Sequence, residues 1–357
     1  MTVFIRLFVK GNDFLDIRSL DLNELTEYIE GLGDKPFRAR QIYRWLHVNL
    51  VSNYDEMRNI PASLRKRLEA EAPLYTPEIE DLQVSKIDGT RKYLFKLSDG
   101  NMIESVLMKY KHGNSVCISS EVGCRMACTF CASAIGGFIR RLTPGEMLGE
   151  VYEIQKQTGE RVSNIVIMGT GEPLDNFSNV VKFIRMISDE NGLNISQRNI
   201  TVSTSGLVDE IYRLIDEHLQ ITLALSLHAT TQEERKKLMP VAGQYDIHEA
   251  VKAMGDYAEK TGRRVTFEYS MIHGENDSDE DARRLSDLVG SIMCLVNLIP
   301  VNPVRERSFV RPDHTHISAF QKKLENYGIN VTIRRELGRD IDGACGQLRR
   351  RHMKGQE

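Results

Sequence analysis

No run of eighteen apolar residues occurs anywhere in the 357-residue chain, and its first residues lack the charged-then-apolar pattern of a secretory leader. Those absences exclude a helical membrane span and predict a cytoplasmic protein with no membrane partner. A surplus of positive charge is missing too: 47 Lys and Arg stand against 50 Asp and Glu, for a formal net charge of −3. Bulk charge therefore gives no sign of nucleic-acid binding, although charge can be local. Residues 334–354 hold seven Lys/Arg against three Asp/Glu and run into RRRHMK, a pattern that is usually a solvated tail or helix face. Repeats and low-complexity segments are absent. Cysteine is scarce at six, yet Cys124, Cys128 and Cys131 fall within eight positions, in GCRMACTFCAS. In a reducing cytosol such clustering marks ligands or catalysts more often than disulfides.

Apolar content of 41% and charged content of 27% suit a globular chain with a large core. Residues 1–75 read as a helical module, with FRARQIYRWL placing Ile42, Trp45 and Leu46 at helical spacing. RKYLFKL and MIESVLMKY flank SDGN, which predicts a β-hairpin joint over 76–110. From about 111 to 310, apolar strands alternate with amphipathic helices: SVCISS, NIVIMG, NITVSTSG, ITLALSLH, RVTFEYSMI and LVNLIPVNP are the strands. Six such units predict an α/β fold with a parallel sheet, a partial (β/α)6 barrel or else a doubly wound sheet. Either topology puts the active face beyond the strands' C-terminal ends. Residues 311–357 form a C-terminal extension, expected to give a strand and a loop returning toward the core.

Thiolates suit zinc, Cu(I) and iron–sulfur clusters. Structural zinc takes four protein ligands, and no second Cys-x-x-Cys pair exists among Cys117, Cys294 and Cys345. A four-iron cube held by three thiolates keeps one iron open for another ligand. On the strand ends, MGTGEPLDN offers close backbone approach at its glycines and a carboxylate at Glu172. Ser203 in STSG, Ser226, Leu227 and His228 in SLH, and Asn302 in NLIPVNP end three further strands. Singly, each is an ordinary strand-end group; together on one face they make a pocket. Cys294 reads as a buried small hydrophobe. Cys345, in the polar loop GRDIDGACGQL, is poorly placed for packing and well placed for presentation.

The x3 and x2 cysteine spacing, with Phe130 before the third cysteine, resembles the radical S-adenosylmethionine superfamily. The ordered set GCRMACTFCAS, MGTGEPL, STSG, SLH, NLIPVNP and DIDGACGQL resembles, within it, the dual-specificity RNA methyltransferases acting on C2 of an adenosine. That resemblance, spanning about residues 20–350, implies a radical-SAM-type barrel and two substrates, 23S rRNA (nucleotide 2503) and tRNA (nucleotide 37). It implies a [4Fe–4S] cluster on Cys124, Cys128 and Cys131, and two S-adenosyl-L-methionine molecules per turnover. Gly171, Glu172, Ser203, Ser226, Leu227, His228 and Asn302 would contact that cofactor. Cys345 would carry the methyl group, Glu104 would accept a proton, and Cys117 would resolve the protein–RNA adduct through a transient Cys117–Cys345 disulfide. An electron donor of flavodoxin type is the family expectation. A sister branch methylates C8 of the same rRNA adenosine, but more often lacks the proline held here by Pro173. From another class, a zinc-stabilised RNA-binding protein without catalysis is the alternative.

Two departures from the family pattern stand out: Thr170 replaces a common methionine, and Glu121 stands where glutamine is frequent. Candidate phosphate contacts are Lys35, Arg38, Arg40 and Arg44 on the helical module, then Arg140, Arg141, Arg305, Arg307 and Arg349–Arg351. Resolution needs a thiolate and then a reductant, so exposure and a lowered thiol pKa at Cys117 would help.

Overall fold

Local start signals place several helices. Asp21, Thr143, Asp246 and Ser278 each accept a backbone N–H at a helix start, and the acidic residue three positions on returns the bond. Such reciprocal caps satisfy donors that a helix start would leave orphaned. The structure, a computed structural model, describes residues 15–301, 309–341 and 346–354. Its order is α1 (Leu22–Gly31), α2 (Phe37–His47), α3 (Ala62–Glu71), β1 (Glu78–Val84), β2 (Arg91–Lys96), β3 (Met102–Tyr110), β4 (Gly113–Ile118), β5 (Glu121–Gly123) and β6 (Phe138–Arg141). Then come α4 (Pro144–Thr158), β7 (Val162–Ile167), α5 (Phe177–Ile187), β8 (Ile200–Thr204), α6 (Val208–Asp216), β9 (Thr222–Ser226), α7 (Gln232–Leu238) and α8 (Ile247–Thr261). The chain continues through β10 (Val265–Met271), α9 (Asp279–Val289), β11 (Cys294–Pro300), α10 (His314–Asn326), β12 (Val331–Ile333) and α11 (Gln347–Lys354).

Among the described residues ten strands form one sheet in the order β1-β2-β3-β4-β7-β8-β9-β10-β11-β12. From β4 onward every pairing is parallel, and each new strand adds on the same side of the last. A doubly wound sheet would reverse its order at a switch point. The single winding is therefore that of a partial barrel, and the six expected units are present. The short β12 adds a seventh parallel strand from the C-terminal extension. The hairpin β2–β3 is more than a joint: it pairs antiparallel with β4, Val106 facing Cys117, and so continues the same sheet.

One apolar core runs through both the helical module and the barrel, joining Ile42 and Leu46 of α2 to Leu148 of α4 and Ile184 of α5. Polar ties reinforce the docking. His47 Nδ1 lies 2.8 Å from the Tyr152 hydroxyl, Gly145 N–H donates to Ser19 Oγ at 2.8 Å, and Lys182 pairs with Glu24. Among the described residues no helix is long and apolar enough to cross a membrane.

Candidate active site

β4 runs into Ser119 and Ser120, and the β5–β6 hairpin then frames the cysteine loop. Gly123 sits at φ +79°, and a Cβ there would fall 1.9 Å from the Gly137 oxygen, so only glycine lets the hairpin close. Cys124 N–H donates to that same oxygen at 3.1 Å, and Thr129 N–H ties the loop to Leu238 at the end of α7 at 2.9 Å. Cys128 packs against Met239, Ile272 and Val301, with Phe130 and Cys131 alongside. Burial, the Cys131 thiol and Glu172 push Cys128 up to about 12; burial pushes Cys124 up as well. As bare thiolates Cys124 and Cys128 are disfavoured, and a bound cation is what would let them ionise.

The MGTGEP turn folds directly over this hairpin. Gly169 N–H donates to Ile118 O at 2.9 Å, and Gly171, at φ +114°, lies so close that a Cβ would fall 2.7 Å from Glu121 Cβ. Glu172, almost fully buried, accepts from Ser205 N–H at 2.7 Å and Leu174 N–H at 3.1 Å. Glu172 thereby braces the β8 end.

Glu172 N–H in turn donates to Glu121 Oε2 at 2.9 Å. Burial, opposed by that bond and reinforced by the facing Asp175 carboxyl, raises Glu121 to about 8. At neutral pH Glu121 is a neutral acid that accepts at one oxygen and donates from the other. Those are the hydrogen-bonding faces of a glutamine, so the departure from the family pattern preserves the bonding.

The next two strand ends converge on the same place. His228 adopts φ +59°, uncommon for a non-glycine residue, and its ring meets the Phe130 ring edge-on at 4.9 Å. Burial, then Arg235, lowers its pKa to about 3, so the imidazole is neutral; Nδ1 accepts from Ser270 N–H at 3.0 Å. Nε2 is left carrying the proton. Ser226 O accepts from Arg235 at 3.3 Å, Leu227 is fully buried, and Ser203 lies in β8 opposite Ala224 of β9. Asn302 and Cys345 lie outside the described residues, as do Arg305 and Arg307.

Across β4, a cavity of about 540 Å3 gathers Glu104, Lys92, Cys117, Met168 and Arg334. Lys92 and Glu104 are 2.7 Å apart, both nearly fully buried. The same carboxylate accepts from Gly346 N–H and Arg349 N–H, each at 2.6 Å, where α11 begins. Gly346, the residue after Cys345 in sequence, also backs onto the cysteine loop, since a Cβ there would fall 2.7 Å from Ser133 N. Burial raises the Cys117 thiol, with Arg334 and Lys92 opposing it, so the lowering that would help is not what the fold gives. A larger groove, about 850 Å3, runs between α8 and α9 and gathers none of the candidate residues.

Does this site suit a cluster and a polar sulfonium cofactor? Among the described residues no three His, Cys, Asp or Glu side chains converge tightly enough to hold one metal ion. A four-iron cube asks for something else, because it spreads its thiolates over separate irons. Three soft donors sit in one tethered loop. At the strand ends sit buried polar atoms without partners among the described residues, Thr170 Oγ1 and Arg235 Nε and Nη1. Native folds rarely leave such atoms unpaired without a reason. The donor set fits.

The comparisons agree. Residues 118–285 match the Radical SAM superfamily, and residues 15–74 match the ribosomal RNA large subunit methyltransferase N-terminal domain. A probable dual-specificity RNA methyltransferase RlmN of Lachnospira eligens is 56% identical over 339 residues, covering 95% of this chain and 97% of its own. The corresponding protein of Lachnoclostridium phytofermentans is 57% identical over 336 residues, covering 94% of each. The chain belongs to the RlmN family of radical SAM enzymes. A crystal structure of a radical SAM methyltransferase from Sphaerobacter thermophilus superposes with a TM-score of 0.89 at 42% identity, covering 93% of this chain and 98% of that one. As a radical SAM enzyme this family member works with a [4Fe–4S] cluster and S-adenosylmethionine.

Reading the sequence missed Lys92, Arg235 and Asp175. Lys92 carried a signal, a charge inside an apolar strand with Glu104 on the partner strand. Arg140 was expected to face RNA; instead it is buried, donating to Asp99 at 2.6 Å and to both Glu146 oxygens. Arg141 is half-exposed and pairs with Asp175 at 3.0 Å. Arg349 is buried at the start of α11. Lys35, Arg40 and Arg44 are exposed on the helical module, while Arg38 donates to Asn59 O at 3.0 Å.

Proposed function

We propose that this enzyme methylates C2 of an adenosine, at nucleotide 2503 of 23S rRNA and nucleotide 37 of tRNA, through a methyl group carried on Cys345. Cys124, Cys128 and Cys131 would hold the cluster, and Gly171, Glu172, Ser203, Ser226, Leu227, His228 and Asn302 would seat the cofactor. Bound there, cluster and cofactor supply the one-electron chemistry that an electron-poor ring carbon requires. The chain's own residues do the rest. Glu104 would take up the proton released from the ring. The Cys117 thiolate, on the neighbouring strand, would attack the Cys345 sulfur, so that the disulfide forms as the sulfur–carbon bond to the RNA breaks. The released carbon keeps the electron pair and takes up a proton to become the methyl group. A one-electron donor of flavodoxin type completes the proposal.

The observation that carries this reading is the double contact of Gly346. It reaches Glu104 on one side and the cysteine loop on the other, so the C-terminal motif and the cluster loop share one place. Cys117 lines the same cavity as Glu104. Covalent carriage splits one difficult transfer into easier steps. The test is mass mapping of methyl groups after anaerobic incubation of reconstituted enzyme with unmodified rRNA and tRNA. Methyl at C2, lost in Cys345→Ala, is expected; methyl at C8, or full activity of that variant, overturns the proposal.

A further inference from the structure

Arg235 of α7 has no exposed surface, and among the described residues only one of its three nitrogens finds a partner. Nη2 donates to Ser205 O at 2.6 Å and to Ser226 O at 3.3 Å, the ends of β8 and β9. Nε and Nη1 are shut away from water without one. Burial holds its pKa down to about 10, with Cys128 and Asp246 opposing, so it is a cation at neutral pH. A buried, part-satisfied charge is among the costliest features a fold can keep. Something must offset it.

The chain alone holds little to do so. Ordinary packing does not explain it, because an apolar residue of similar volume would fill the space without the charge. His228, the neighbouring titratable group, is neutral and is pushed further from protonation by the guanidinium. Asp246 caps the start of α8 and contributes at a distance. The remaining group that acts on Arg235 is Cys128, and α7 ends at Leu238, whose carbonyl holds the cysteine loop through Thr129 at 2.9 Å. A protonated thiol would offset nothing. As a thiolate on a four-iron cube, Cys128 belongs to an assembly of net negative charge. That charge grows by one when the cube takes an electron, and reduction potential follows net charge and surroundings.

We propose that Arg235, on the helix whose end holds the cysteine loop, is a built-in countercharge for the cluster that favours its reduced state. A fixed cation in a low-dielectric interior stabilises the more negative redox state over the less negative one. It eases electron uptake from the donor without touching substrate, which makes it a positioning residue and not a catalytic one. The inference rests on the reading that Cys124, Cys128 and Cys131 hold the cluster.

The experiment is an anaerobic redox titration of reconstituted wild type, Arg235→Lys, Arg235→Gln and Arg235→Met, without S-adenosylmethionine and at matched iron and sulfide content. Lys keeps the charge and should keep the midpoint. Gln and Met should lower the equilibrium constant for reduction at least tenfold, about 59 mV for a one-electron couple. An unchanged midpoint in a fully loaded Gln or Met variant overturns the inference, as does a change in cofactor affinity without one in midpoint. Should both fold poorly, Asp246→Asn serves, since Asn caps a helix as well as Asp does. Removing that partial offset should raise the midpoint, and to the same extent beside Arg235→Lys, which keeps the charge; no shift in either overturns the idea. Failure of the cysteine reading looks different: Cys128→Ala would then bind iron and sulfide like wild type.

Discussion

Lys92 and Glu104 meet at 2.7 Å from adjacent antiparallel strands, with side chains 1% and 2% exposed. Lys92 lies opposite Val106 and Glu104 opposite Leu94, so the pair spans a diagonal of the β2–β3 ladder. Two backbone N–H groups at the start of α11 complete the shell around the carboxylate. The acceptor proposed for the ring proton is thus held in place by three donors.

Breaking this pair from the lysine side leaves a buried carboxylate short of its formal countercharge. Lys92→Met should lower the unfolding free energy by about 3–5 kcal/mol, read by urea denaturation of the apo-protein at pH 7. Iron loading should survive, because Lys92 lies across β4 from the cysteine loop. An unfolding midpoint within error of wild type would show that the N–H groups alone hold Glu104.

Glu121 carries a pH dependence whose sign is fixed by its environment. Its folded pKa, about 8, stands above the ordinary value of 4.5. Between those values the folded state binds a proton that the unfolded state has released, so stability falls as pH rises through that window. Below it, and above about pH 8, this group adds no slope. Glu121→Gln keeps one donor and one acceptor and removes the ionisation. Apo-protein unfolding measured at pH 5, 7 and 9 should decline less steeply in the variant; parallel curves would mean that Glu121 is charged at neutral pH.

Arg40 and Arg44 stand one turn apart and exposed on α2. Reversing both charges should weaken binding of rRNA and tRNA fragments. It should also flatten the dependence of log K on log salt by about 0.7–0.9 for each phosphate no longer neutralised. Fluorescence anisotropy across a salt series measures both. Unchanged affinity and slope would remove α2 from the RNA-contacting surface.

Much of this was readable from the chain. The cysteine spacing, the order of strand-end motifs and the strand–helix alternation each arise from local sequence, and the parallel strands formed where apolar runs stood. The rest depends on partners far away in sequence. Arg140 reads as a surface charge until Asp99 and Glu146 close around it. The RRRHMK run reads as a solvated tail or helix face; that it is a helix depends on Glu104 capping its start and on buried Leu348. The strand β1 escaped notice because EIEDLQV is charged and mostly exposed, an edge strand recruited by the register of β2. For Cys117, whose proposed role a lowered pKa would help, desolvation in a strand paired on both sides raises the thiol instead.

β4 is the seam of the molecule. On one side run the parallel strands that end at the cysteine loop and its neighbours; on the other stand the antiparallel strands bearing Glu104 and Lys92. The cysteine loop and the Lys92–Glu104 pair thus stand on two flanks of one continuous sheet, bridged by Gly346. A change on the hairpin would alter the shell around Glu104 while leaving in place the strands that carry the cysteine loop.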